Sequence, residues 1–435
     1  MRLRKLYLLV LLVAALALVA AGCGGDDEDE DGGAAAEQVS GEVEISGIWT
    51  GQEAKSFEAV LDGFEEQQPD VTVKYDAAGD EIPTVLATAV EGGNPPDLAA
   101  VAQPGLVQDF FDQDALQPLD FADGEIRDNF PEGAFDIVTF DDQIYGFLFK
   151  AANKSTVWYN VGLYEAAGVE PPETFEEFLE NAETLQASGT MAYSIGVDVG
   201  WPLTDLFENI YLRQAGPEMY DQLANHEIPW TDQSVKDALE TMAEVVGDSD
   251  NLVGGTSGAL QTDFPTSVTN AFKEDPDGAQ VIEADFVASE ITASTPAEAG
   301  TDYDVFEFPS IEGSESAVVG GGDIIIMFND TDASRALVSY LASPEAAEIW
   351  AGRGGFSSAN RNVDEDVYPD EITQRTATAI PEAETFRFDL SDLQPAAFGA
   401  TVGRGMWQIL QDLLRNPDDV DRIAEELERE ANRAF

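Results

Sequence analysis

The sequence predicts an α/β fold in which mostly parallel strands alternate with helices. Three observations carry that expectation. Short apolar runs rich in β-branched residues recur along the chain, and the segments between them space their apolar residues three and four apart. Gly, Pro and Asn mark the breaks, as turns require. No short internal repeat is visible, which argues against a solenoid.

Taken in order, Val43–Trp49 reads as the first strand, and Phe57, Val60, Leu61 and Phe64 mark one face of a helix. A second strand follows at Val71, Val73 and Tyr75, then an amphipathic segment with Ile82, Val85, Leu86 and Ala89. Asp97–Val101 is a third strand after the Asn94-Pro95-Pro96 break. Further on, Tyr145–Lys150 and Thr156–Tyr159 look like strands. Thr174 opens a helix, with Glu177 three residues on completing a capping box. Tyr193–Val199 is again strand-like, and helical faces return at Leu206 and Ile210 and at Val235, Leu239 and Met242. Val318–Phe328 is a strongly apolar strand containing Gly320, Gly321 and Gly322. Ala336–Trp350 is helical with an interruption at Ser343-Pro344. A last helix has Asn416 as its expected N-cap, Pro417 at its first position, and Val420, Ile423, Ala424 and Leu427 on one side.

The first residues have a different character. Arg2, Arg4 and Lys5 precede Leu6–Ala21, whose only polar group is the Tyr7 hydroxyl. As a helix that run would rise about 24 Å, short of the roughly 30 Å of a bilayer core. It ends in Ala20, Ala21 and Gly22 before Cys23, which resembles the bacterial lipobox, although Ala20 stands where Leu is usual. That resemblance implies a removable signal peptide over 1–22 and a lipid on Cys23, holding the chain at the extracytoplasmic face of a membrane. Cys23 is the only cysteine, so it can make neither an internal disulfide nor a Cys-based zinc site. The acidic, Gly-rich stretch 23–41 has too little apolar surface to fold and reads as a disordered tether. Within it Asp27, Asp29, Asp31 and Gly32 match the start of an EF-hand loop. The twelfth position is Gln38, however, and no amphipathic helix precedes the run, so it reads as solvated charge and no metal is expected.

The formal net charge is −64, and loss of the leader makes it more negative. Such a chain repels nucleic acid and anionic lipid headgroups. It also argues against an anionic solute, although a local pocket can reverse the global sign. Its length suffices for two sizeable cores. Enzymatic signatures are scarce. His226 is the sole histidine, beside the helix-breaking Ile228-Pro229, and G-x-S-x-G, H-E-x-x-H, P-loop and dinucleotide fingerprints are absent. With 85 acids, close carboxylate pairs carry no information about a glycosidase.

Seven blocks, in order, resemble the extracellular solute-binding proteins of ABC importers, specifically the maltose- and α-glucoside-binding receptors. They begin with Ile48-Trp49-Thr50 with Glu53 and Phe57, Phe64-Glu65 and Val71-Thr72-Val73. Pro96-Asp97 with Leu116-Gln117-Pro118-Leu119 comes next, then Tyr145-Gly146-Phe147 with Lys154-Ser155 and Trp158-Tyr159-Asn160. Gly168 through Glu177, Tyr340 through Glu345 and Gly354-Gly355-Phe356 complete the set. The resemblance implies a two-lobed periplasmic-binding-protein-like fold. Each lobe would be a mixed, mostly parallel sheet flanked by helices, with a three-crossing hinge near Lys150, Phe308 and Gly355. Lobe 1 is then expected over 42–149 plus 309–354 and lobe 2 over 150–308 plus 355–435. It implies a monomer that closes over an oligosaccharide and hands it to importer permease subunits, with no cofactor and no catalysis.

Sugars need planar polar partners for hydroxyls and aromatic rings for their C–H faces. Trp201, after a strand in Gly200-Trp201-Pro202-Leu203, aligns with a sugar-stacking position of the family. Trp49 ends the first strand, where clefts of open α/β sheets lie, and Trp158 lies within a strand where core burial is the competing reading. Phe398 stands where the family places a C-terminal stacking aromatic. Glu53, Gln103, Lys150, Asp205 and Arg404 fall in segments that carry family contacts, against the ordinary reading of exposed polar residues. Gly321 and Gly322 would let backbone approach a ligand, or mark a β-bulge. Trp350 is expected in the core, and Trp230 and Trp407 stay open. An α-glucoside is the expected cargo, with a polyol or other small organic solute, or a tethered glycosidase, as alternatives.

Overall fold

The computed structural model describes residues 38–383 and 385–435. The leader, Cys23, the EF-hand-like run and nearly all of the acidic stretch lie outside the described residues. The strands are β1 (Gly41–Gly47), β2 (Val71–Ala77), β3 (Leu98–Val101), β4 (Thr139–Phe140) and β5 (Gln143–Ile144). There follow β6 (Gly146–Asn153), β7 (Thr156–Asn160), β8 (Met191–Tyr193), β9 (Gly278–Ile282) and β10 (Tyr303–Glu307). The last three are β11 (Ala317–Met327), β12 (Ser357–Ser358) and β13 (Thr385–Phe388).

The larger sheet runs β12-β6-β11-β3-β1-β2, with β13 beside β11. β1 pairs parallel with both β2 and β3, the three joined by the helices Gly51–Gln67 and Ile82–Glu91. This is the expected alternation, and it buries Val43, Ile45, Phe57, Val60, Phe64 and Leu86 in one core. Parallel pairing does not extend across the sheet. β11 runs antiparallel to β3 and β6, and β12 antiparallel to β6. The reason is topological. β6 leaves this sheet and continues through Lys154 and Ser155 into β7 of the smaller sheet, whereas β11 returns from β10. A leaving strand beside a returning one is antiparallel.

The smaller sheet has the order β10-β7-β9-β8 and is covered on both faces. On β7, Val157 points into a core shared with Phe178 and Leu206 of the helices Phe175–Ser188 and Trp201–Ala215. Trp158, one residue on, points the opposite way, as strand pleating demands, into a second core with Val268 and Val287 of the helices Phe264–Phe272 and Val287–Ser294. Among the described residues no helix is long and apolar enough to cross a membrane.

Two expected elements are corrected. Of the expected strand Tyr193–Val199 only Tyr193 is in a strand, β8 running Met191–Tyr193; the chain then turns out of the sheet, where Gly196 passes the Asp263 backbone too closely for a Cβ. The last helix is Val420–Ala434 with Asp419 at its N-cap. Asn416 instead terminates the preceding helix Gly405–Arg415, and Pro417 serves as the stop that follows it. The Thr174–Glu177 capping box is present, with Thr174 Oγ1 accepting from the Glu177 N–H and Glu177 Oε2 from that of Thr174. The interruption at Ser343-Pro344 divides the helices Asp332–Leu341 and Pro344–Ala351.

The glycine triplet sits in the middle of β11, beside β6. A Cβ at Gly322, whose φ is +153°, would lie 2.1 Å from the Lys150 carbonyl oxygen. One at Gly321 would lie 2.9 Å from Lys154 Cε, and one at Gly320 2.2 Å from the Phe386 ring. The register shifts between Asp323 and Ile324, so a bulge follows directly.

Candidate functional site

A cavity of about 240 Å³ lies between elements of the two sheets. From the larger sheet come Trp49 and Gln103, just past the C-terminal ends of β1 and β3, where open α/β sheets place their ligands. Lys150 of β6 and Asp323 of β11 also line it, and Glu53 arrives on the helix Gly51–Gln67. From the other side, Trp201 and Asp205 project from the first turns of the helix Trp201–Ala215. Gly200 makes that placement possible. At φ +108° it presses against the backbone of Trp407, and a Cβ there would lie 2.4 Å from the Trp407 carbonyl oxygen.

Two buried lysines organise the polar wall. Lys150 Nζ lies 2.5 Å from Glu53 Oε1 and 3.8 Å from Asp323 Oδ2, and 5.1 Å above the Phe286 ring. Burial alone would lower its pKa; Glu53 and Asp323 outweigh burial and raise it. Lys154, continuing β6, lies 3.2 Å from Asp205 Oδ1 and 3.7 Å from Asp392 Oδ2, and is hydrogen-bonded to Asp389. Its pKa stands well above the usual value because Asp205, Asp389 and Asp392 overcome its desolvation. One ammonium does not compensate so many acids. Burial, with Asp389 nearby, pushes Asp205 up to about 7, while Glu208 and Asp392 are also held well above the carboxylate range by burial and by Asp389. Asp389 alone is lowered, because Lys154 and hydrogen bonds from Asp392 N and Ser391 Oγ stabilise its charge against burial. Oxygens of Asp205, Glu208 and Asp389 lie within 4.8 Å of one another, a spacing a cation would accept, and the Lys154 ammonium already supplies positive charge there.

The aromatic wall is Trp201 with Phe264 and Phe286, ring centroids 5.3 and 6.0 Å away, and Trp407 nearby. Three of the residues lining this space have a buried polar atom without a hydrogen-bond partner: Gln103 Oε1, Asp205 Oδ2 and Trp407 Nε1. Two accept and one donates, each at a cost unless a ligand or water pairs with it.

Of the residues singled out from sequence, Trp49, Glu53, Gln103, Lys150, Trp201, Asp205 and Gly322 line the cavity. Trp49 is also a core residue at 1% exposure, its Nε1 donating to Asp323 Oδ2 at 2.6 Å and its ring packed on Phe57 and Trp350. Four lie elsewhere. Trp158 is buried against Tyr303, with Nε1 donating to Thr156 Oγ1. Phe398 packs edge-on against Trp230 in the helical core. Arg404 is exposed at the start of the helix Gly405–Arg415, and Gly321 packs on Lys154. His226 faces Glu428 at 3.2 Å, away from the cavity. Sequence reading left Trp407 open and did not single out Lys154, Phe264 and Phe286 as cavity residues. The available signal was Lys154 itself, a lysine between two strand-like runs.

Residues 49–348 match the profile of the bacterial extracellular solute-binding protein family. The osmoprotective compounds-binding protein GgtB of Synechocystis is 34% identical over 385 residues, spanning 87% of this chain and 89% of its own. The alpha-glucosides-binding periplasmic protein AglE of Rhizobium meliloti is 31% identical over 395 residues, spanning 87% and 85%. Among solved structures, the bacterial solute receptor AcbH, described as preferring β-D-galactopyranose, matches with a TM-score of 0.79. Its identity is 17%, over 91% of this chain and 99% of that one, so the likeness speaks for the fold.

Proposed function

The chain belongs to the bacterial extracellular solute-binding protein family, the substrate-binding components of ABC importers, and on that premise we propose that it captures a small neutral α-glucoside. The family and these relatives are solute-binding proteins and not enzymes. The observation that carries the cargo reading is the pairing, within one cavity, of the Trp201–Phe264–Phe286 wall with the unpartnered Gln103 Oε1, Asp205 Oδ2 and Trp407 Nε1. A sugar ring offers C–H faces to the first, and hydroxyls that both donate and accept to the second. The volume lies at the small end of ligand pockets, which favours one or two sugar rings over a long chain.

In this reading the lobes are 42–149 plus 309–354 and 150–308 plus 355–435, save that Lys150–Asn153, β12 and β13 pair in the larger sheet; they join near Lys150, Phe308 and Gly355 and close over the solute. The closed form is what the permease subunits accept, and a lipid on Cys23 keeps the monomer within their reach. A second reading is supported by the relative named for osmoprotective compounds, namely a polyol or other small compatible solute in the same cavity.

Thermal-shift titration with maltose, trehalose, sucrose, longer glucosides and polyols tests the cargo. A ligand at a hundred times its Kd adds about 2.7 kcal/mol of apparent stability. A shift with a disaccharide supports the glucoside, and a shift with polyols alone supports the second reading. Silence across the panel overturns both.

A further inference from the structure

The cavity is bounded from opposite sides by carboxylates that no cation neutralises. Asp80 sits on the 3-10 turn Gly79–Glu81 directly after β2 of the larger sheet. Asp198 sits in the irregular segment after β8 of the smaller sheet, three residues before Trp201. Among the described residues neither lies within salt-bridge distance of a Lys, Arg or His, since Lys150 is committed to Glu53 and Lys154 to Asp205 and Asp389. No described side chain or backbone group donates to the Asp80 carboxylate, and that of Asp198 accepts from backbone alone, the Val199 N–H at 2.8 Å and its own. Burial first, then Asp198 and Glu81, push Asp80 up to about 6. Burial also raises Asp198, with Asp263 adding to it, and Glu290 is raised by burial, Glu53 and Asp263. Asp80 and the exposed Asp198 thus bring carboxylates to one cavity from the segments that follow β2 and β8.

We infer that Asp80 and Asp198 are a specificity-determining pair that makes closure conditional on a neutral, hydroxyl-bearing ligand. Unbridged, the pair opposes the approach of the two sides. A ligand hydroxyl donating to each carboxylate replaces that opposition with two charge-assisted hydrogen bonds. A sugar carrying a phosphate or carboxylate adds negative charge where no cation is free, and is rejected. The inference rests on the proposed closure of the lobes over a solute.

The first experiment needs no ligand. The radius of gyration of the ligand-free protein is followed by small-angle scattering from about 10 mM salt, where charges interact over roughly 30 Å, to about 1 M, where they are screened within roughly 3 Å. Wild-type protein should contract with salt, whereas Asp80→Asn/Asp198→Asn should be contracted throughout. Glu91→Gln/Glu240→Gln, which removes the same charge from exposed sites off the cavity, should behave as wild type. A wild-type radius indifferent to salt, or equal responses in the two double variants, overturns the pair. Should the cavity double variant fail to fold, Asp80→Asn alone is read the same way against Glu91→Gln. The second experiment compares trehalose with trehalose 6-phosphate. The neutral sugar should bind wild type on the order of tenfold tighter or more, and the ratio should collapse in the cavity variant. An unchanged ratio overturns the specificity role. If no neutral sugar binds at all, the glucoside reading falls, and the ligand-free salt response still decides the pair.

Discussion

Replacing Lys154 by methionine removes the one ammonium from a nest of buried acids while keeping an apolar stem of similar length. Its Nζ is 3.2 Å from Asp205 Oδ1 and 3.7 Å from Asp392 Oδ2, and closer to Asp389. At an effective dielectric constant of about 20, each such contact is worth roughly 5 kcal/mol before desolvation is subtracted. Buried pairs broken from one side cost about 3–5 kcal/mol net, which is the loss expected here near pH 8. The loss should shrink with acid. Without Lys154 Asp389 loses the charge that lowers its pKa, and Asp205 and Asp392 rise further above their unfolded values, so the folded variant binds more protons than the unfolded chain. Its stability then falls more steeply with rising pH than that of wild type, and the gap narrows as pH drops through the folded values. Urea unfolding of both proteins at about pH 5.5 and about pH 8 measures this. An equal loss at the two pH values would mean that Lys154 contributes packing only, and would refute the charge-compensation argument.

Other expectations are as specific. Trp201→Ala should weaken disaccharide binding at least ~10-fold while leaving the unfolding transition close to wild type, because the ring forms cavity wall; titration calorimetry reads both the affinity and its loss. Trp407→Phe removes only the unpartnered N–H and should weaken the same ligand by about tenfold, with little change in Tm; unchanged affinity would take Trp407 Nε1 out of the site. Asp285, 3% exposed and held at about 6 chiefly by burial, has a folded pKa above its unfolded one. Its contribution is therefore greatest in acid, and up to about 3 kcal/mol is lost as pH rises from about 4 through about 6. The slope of Tm against pH should flatten in Asp285→Asn. Intact mass of the membrane-extracted protein should show cleavage before Cys23 and a diacylglycerol addition; a mature protein without lipid would make delivery a matter of free diffusion.

Much of the fold was legible because local pattern and tertiary role coincide. Val43, Ile45 and the Phe57–Phe64 face announce the first strand and helix, and all are buried where the periodicity places them. Parallel pairing was over-read because alternation says nothing about which strands cross between sheets, and β6 and β11 do. The Asn416-Pro417 pair obeys two rules at once, helix start and helix stop, and only the neighbouring helix decides between them. In the cavity, Trp49 was readable from its place at a strand end, and Gln103 through the family resemblance. Phe264 and Phe286 were not, and Trp407 stayed open, since each is an ordinary apolar residue beside a helix start and becomes cavity wall only when distant segments meet. Trp158 and Phe398 show the converse, aromatic residues in suggestive segments that the pleat or a helix turns into a core.

Gly320, Gly321 and Gly322 carry a lesson for how relatives are aligned. Gly322 lines the cavity, so the triplet has the look of a ligand motif. Yet what each hydrogen makes room for is mainly protein: the Phe386 ring, the Lys154 stem and the Lys150 carbonyl. Side chains introduced there should abolish expression before they alter what is bound. Sequence signatures drawn around the triplet would then sort chains by architecture and be blind to cargo, whereas Trp201, Phe264 and Trp407 are the positions whose variation should track diet.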